Sequence, residues 1–140
     1  MKQSKNGILI VGLEDFVDHY RRALTLVEGT ETEYSNIVYQ NLRRIKQGPF
    51  MFLNVLTGSY FRKGLDELEW DAGGLVHEAK HIADFWENPL AFLTRSTRET
   101  ERRALEVQDR FQRSIGYKGV DIERLLATEW WKKTLFERRY

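Results

Sequence analysis

The 140-residue chain has no cysteine. That absence removes disulfides, thiolate metal sites, iron–sulfur clusters and cysteine nucleophiles together, so any metal must bind through histidine and carboxylate. An excess of charge of one sign is missing too: 22 Lys plus Arg stand against 21 Asp plus Glu, a formal net charge of +1. No overall field draws such a chain to nucleic acid or to an anionic membrane, and neither is expected as a partner. Long apolar runs are also lacking. The run Ile8–Val11 is too short for the core of a signal peptide, and nothing approaches the roughly 20 residues of a spanning helix. The expectation is a soluble, cytoplasmic protein. Gly73 and Gly74 are the only adjacent glycines, in a helical context, so nucleotide chemistry has neither a Gly-x-Gly-x-x-Gly nor a phosphate loop to support it.

What is present suffices for a packed interior. Hydrophobic residues make up 41% and aromatics 13% of the chain, which predicts one folded domain over residues 1–140 with no linker or repeat. Helical spacing runs through 13–27 with Phe16, Tyr20, Ala23, Leu24 and Val27, and Gly29 ends it. Ile8–Val11 before it reads as a short strand or an apolar anchor. Thr30 and Glu33 form a capping-box pattern ahead of a second helix carrying Tyr34, Ile37, Val38, Leu42 and Ile45, closed by Gly48 and Pro49. Residues 51–56 and 59–62 are rich in β-formers around Thr57 and Gly58, which predicts a hairpin. Helical spacing returns over 69–87 and stops at Asn88-Pro89. Ser96 and Glu99 cap a further helix over 97–115 that ends at Gly116, and Asp121 caps a last one with Ile122, Leu125, Leu126 and Trp130 on one side. The fold class expected is α+β: mostly helical with a small sheet, in stretches of 1–68, 69–116 and 117–140.

The helix over 69–87 contains His77-Glu78-Ala79-Lys80-His81, two of the three histidines in the chain. At i and i+4 on a helix they share one face within reach of a single ion, while Glu78, turned about 100° away, is free to abstract a proton from water. Ala72, Leu75, Val76, Ala79, Ile82, Ala83 and Trp86 gather on the other side, so the apolar arc anchors the helix and His77, His81 and Asp84 face a cleft or another element. A catalytic zinc ion needs a third protein ligand. Glu101 is the candidate, because its wheel position lies between Leu105 and Ala104, beside the face of Phe111 and Ile115. A carboxylate aimed into an apolar interface must be paired or bound to metal; the plain alternative is a salt bridge to Arg98 or Arg102, and Glu99 is the fallback ligand.

His77-Glu78-x-x-His81 followed after nineteen residues by Glu101 resembles the gluzincin zinc peptidases, in a minimal single-domain form covering about 70–116. The resemblance implies a zincin-like fold, a zinc ion on His77, His81 and Glu101, Glu78 as general base and acid, and a peptide or protein substrate pairing along a strand near the motif, with Ser59–Arg62 the candidate. Several gluzincins orient the first histidine with an aspartate four residues after the ligand glutamate, where this chain has Leu105; Asp84 and Gln108 are the polar residues placed to substitute. For the oxyanion stabiliser His19, Tyr117 and the arginines are unranked candidates.

The function expected is therefore zinc-dependent peptide hydrolysis. The alternatives are a non-catalytic, zinc-stabilised or pseudo-peptidase domain that binds a protein partner, and an all-α interaction module with a fortuitous motif. Asp15 and His19 also stand at i, i+4 but lack a further ligand, and read as an exposed helix pair. The segment from Trp130 to Tyr140 mixes aromatics with Lys and Arg. Packing on the core is the leading reading for it, with single-stranded nucleic acid or a cover over the cleft as the others.

Overall fold

In a computed structural model, residues 1–132 are described. Two strands open the chain, β1 (Lys2–Lys5) and β2 (Ile8–Val11), joined by a turn in which Asn6 and Gly7 both have positive φ, 48° and 88°. That is the type I′ geometry an Asn-Gly pair favours. The expected first helix follows as α1 (Glu14–Glu28).

The second helix, α2 (Thr32–Asn41), is shorter than its apolar spacing predicts. Leu42 is extended, and Arg44–Gln47 forms a strand, β3, where helix was expected through Ile45. The expected capping box is also not formed: Glu31 occupies the cap position, and the Thr30 hydroxyl donates back to the Val27 carbonyl instead. The predicted hairpin is present as β4 (Phe52–Asn54) and β5 (Ser59–Arg62).

The sheet has five strands in the order β1-β2-β3-β5-β4, with β2, β3 and β5 parallel and the two edges antiparallel. Register places Ile10, Ile45, Tyr60 and Leu53 in one row across it. Ile10, Ile45 and Tyr60 are buried against apolar residues of α1, α2 and α3 (Leu68–Glu87), with Leu53 packed at the border of that core. Between α3 and α5 (Thr97–Ser114) lies a short helix, α4 (Pro89–Thr94), that the sequence reading did not anticipate. Pro89 ends one helix and, lacking an N–H, suits the first position of the next. The Ser96 hydroxyl caps α5 by accepting from the Glu99 N–H, and Ser96→Ala is expected to cost about 1 kcal/mol, read as a lower thermal midpoint.

Asp121 caps α6 (Ile122–Thr128). Glu129, in the left-handed region, ends it before a 3-10 turn, Trp130–Lys132. Trp130 is buried with Leu105, Val120 and Leu126 in a second apolar cluster, as core packing of this segment predicts; the rest of the tail, 133–140, lies outside the described residues. The protein is thus α+β, with six helices among the described residues. No described helix is long and apolar enough to cross a membrane.

Candidate metal centre

The helix α3 is buried on more than its apolar arc. Ala72, Leu75, Val76, Ala79 and Ile82 enter the main core as expected, whereas Trp86 is 57% exposed and donates to the Val55 carbonyl at 3.2 Å. Opposite them, Gly73, His77, His81 and Asp84, spaced one turn apart, are buried as well. This stripe faces α5, whose Glu101, Gln108 and Gln112 form a polar stripe of their own, and the partners run in reverse order along the two helices.

Three side chains converge. His77 Nε2 stands 3.0 Å from Glu101 Oε2, His81 Nε2 stands 3.2 Å from Glu101 Oε1, and the two Nε2 atoms are 3.1 Å apart. Glu101 meets neither of its plain alternatives, since Arg98 pairs with Glu129 and Arg102 with Glu123. Glu99, the fallback ligand, is exposed at the start of α5 and is not part of the group.

The charges on this trio are mutually dependent. Burial opposes ionisation of Glu101, but His81 and then His77 outweigh it and hold the carboxyl well below its ordinary value. Burial would likewise depress the His81 imidazole; Glu101 overrides it, with Glu78 and Asp84 adding, and holds His81 up at about 9. The pocket is one that favours a cation.

His77 is also oriented from behind. Its Nδ1 lies 2.9 Å from Gln108 Oε1, the Gln108 amide donates to Gln112 Oε1 at 2.8 Å, and the Gln112 amide donates to the Lys118 carbonyl at 3.0 Å. A backbone carbonyl only accepts, so the direction of every link is fixed from that end: His77 Nδ1 must donate, and Nε2, directed at Glu101 and His81, is the nitrogen left to ligate a metal once it is unprotonated. Of the two substitutes for the missing aspartate, Gln108 takes the place. Asp84 instead faces Lys80, Arg95 and Arg103.

The trio lies on a groove of about 340 Å³, along with Glu78. Glu78 is 5% exposed. Tyr60 enters the groove from β5, its hydroxyl kept protonated mainly by burial. Of the oxyanion candidates, His19 is bound to Asp71 at 2.7 Å, which also ends the notion of a metal pair with Asp15, and the Tyr117 hydroxyl donates to Glu67 at 3.0 Å. Neither borders the groove; of the arginines, Arg95 does. Sequence reasoning did not single out Tyr60 or Arg95. Tyr60 looks like any aromatic on a strand, and Arg95 sits in the turn between α4 and α5, where no periodicity exists to place it.

The strand expected to receive a peptide is corrected by the sheet order. Both edges of β5 are occupied, by β3 and β4, so Ser59–Arg62 has no free backbone to offer; the edge beside the groove that no other strand among the described residues pairs with belongs to β4.

No protein-family model, curated protein or solved structure matches this chain. What it can do must be argued from the site itself.

Proposed function

We propose that the protein is a zinc-dependent peptidase of gluzincin type, with a zincin-like arrangement of α3 and α5. The observation that carries the reading is the convergence of two imidazole nitrogens, 3.1 Å apart, on one carboxylate, with His77 Nε2 3.0 Å from Glu101 Oε2 and His81 Nε2 3.2 Å from Glu101 Oε1, bordering a groove that also contains Glu78. A tetrahedral zinc ion with bonds of about 2.0–2.1 Å spans ligand pairs of about 3.3 Å, close to the 3.1 Å between the two imidazole nitrogens, and Glu101 places a carboxylate oxygen beside each of them, the three ligand atoms lying within 4.8 Å of one another. Two imidazoles and a carboxylate are also a donor set zinc accepts. His77, His81 and Glu101 hold the metal, which when bound lowers the pKa of water to about 7 and polarises a carbonyl.

The remaining work falls to the chain. Glu78 takes a proton from the attacking water and delivers it to the leaving amine nitrogen as the C–N bond breaks, so that water is added across the peptide bond. The peptide lies extended in the groove, its backbone pairing with the free edge of β4, Phe52–Asn54. The Gln108–Gln112 chain keeps His77 in its ligating tautomer throughout.

Elemental mass spectrometry of protein purified without a histidine tag tests the metal directly and identifies it. About one zinc per chain is expected, with cleavage of an unstructured peptide mixture lost on chelation and restored by zinc. No bound metal after reconstitution and dialysis overturns the site. Zinc without cleavage of any peptide favours the non-catalytic reading.

A further inference from the structure

A buried carboxylate beside the groove has more cations around it than it can neutralise. Asp84, one turn beyond His81 on α3, is 3% exposed. Lys80 Nζ stands 2.8 Å from its Oδ1, Arg103 donates to its Oδ2 at 3.2 Å, and Arg95 Nη1 lies 3.8 Å from the same oxygen. No other carboxylate among the described residues is within ion-pairing distance of those three cations. Three positive charges thus share one negative charge.

Arg95 is the cation left over. Arg103 is 41% exposed and gives its excess charge to solvent, whereas the Arg95 side chain is 18% exposed. At 3.8 Å its Nη1 is beyond hydrogen-bonding distance of Asp84, and it is buried with no hydrogen-bond partner among the described residues. At that separation the buried N–H keeps the attraction of the Asp84 charge but makes no hydrogen bond, so the pair with Asp84 leaves hydrogen-bonding capacity of the guanidinium unused. The residue is held in place by its backbone, whose N–H donates to the Ala91 carbonyl at 2.9 Å, and it is followed at once by the Ser96 cap of α5. It borders the groove that contains His77, His81, Glu101 and Glu78, which is also lined by the apolar Met51, Leu53 and Val55. A fixed fork of N–H donors carrying a full charge, in a largely water-free setting, is suited to an oxyanion of two equivalent oxygens.

We propose that Arg95 binds a carboxylate of the peptide in the groove, so that the site selects substrates with a free C-terminus or an acidic side chain near the scissile bond. This rests on the peptidase reading for what occupies the groove, but not on any event at the metal. Arg95 acts as a specificity-determining residue.

The test uses the zinc-loaded full chain carrying Glu78→Gln, so that binding is measured apart from cleavage. Calorimetric titration compares two pairs of otherwise identical acetylated peptides with an apolar core: C-terminal acid against C-terminal amide, and an internal Glu against Gln. The acidic member of at least one pair is expected to bind about tenfold more tightly, which is the order lost with one charge-assisted bond. The pair that shows the preference identifies the source of the carboxylate. Arg95→Met is expected to erase the difference and Arg95→Lys to keep part of it. Equal affinities within each pair, no binding of any of the four at millimolar concentration, or a preference that survives in Arg95→Met overturns the proposal. Equal affinities within each pair overturn the proposal without any change at Arg95, so it stays falsifiable even if those variants do not fold. Preference without hydrolysis by the unsubstituted chain sinks the peptidase reading alone, and hydrolysis without preference sinks this one alone.

Discussion

Replacing Glu78 with Gln is expected to lower peptide hydrolysis by about 100- to 10,000-fold while zinc content stays at the parental level. The two side chains have nearly the same shape, so a 5% exposed site on α3 has little to repack. Gln has no basic oxygen, however, and can neither accept the proton of the attacking water nor return it to the amine. The same position, turned about 100° from His77, stands outside the group of His77, His81 and Glu101, which is why metal and activity separate. Glu101→Ala should reverse the pattern. It removes one of the three proposed ligands and the carboxylate that holds His81 up at about 9, so bound zinc falls first and activity only as a consequence. Measuring kcat/KM and zinc content on both variants checks the pair. Parental activity in Glu78→Gln would end the general-base assignment.

The site was more legible in the sequence than the sheet, and the reason is the range of the interactions concerned. The candidate ligand positions on α3 and α5 follow from helical period alone: His77 and His81 are one turn apart, and Glu101 falls beside the buried face of Ala104 and Leu105. The boundaries of α3 and α5 were equally local, set by Asn88-Pro89 and by the Ser96 hydroxyl. Strand β3 was not. Ile37, Val38, Leu42 and Ile45 continue a helical spacing, and what pulls Arg44–Gln47 out of it is backbone pairing with Leu9–Val11 on one side and Ser59–Arg62 on the other. Those partners are distant in sequence, and a parallel register leaves no trace in local periodicity. Strand β1 is different again, since the Asn6-Gly7 pair is a local hairpin signal that the sequence reading passed over. Gln108 lay between these extremes. Helical period places it on the same face of α5 as Glu101, but only the antiparallel alignment of α5 with α3 brings it behind His77 rather than beside some other residue.

That alignment couples Gly73 to the candidate metal site at a distance, and Gly73→Ala carries the second large effect. By helix propensity alone the change should stabilise α3 by up to about 1 kcal/mol. At Gly73, though, an added Cβ would lie 2.2 Å from Gln112 Oε1 and 2.9 Å from its Cδ. Gln112 has no exposure and no free direction to move, since its amide is committed to the Lys118 carbonyl and its oxygen to Gln108. The clash therefore either opens the packing of α3 on α5 or breaks the chain of amides, and a net destabilisation of about 1–3 kcal/mol is expected. With the chain broken, nothing fixes which nitrogen of His77 bears the proton, and zinc affinity should fall about 10- to 100-fold. Gly74 supplies the control within the same helix: a Cβ there meets nothing within 4 Å, so Gly74→Ala should show the propensity gain and unchanged zinc binding. Adding Gln112→Ala to Gly73→Ala separates the two consequences, because it restores room without restoring the hydrogen bond. Thermal midpoint should then recover in part while zinc affinity does not. If Gly73→Ala instead behaves like Gly74→Ala in both measurements, the amide chain does not govern the metal site, and the orientation of His77 rests on packing alone.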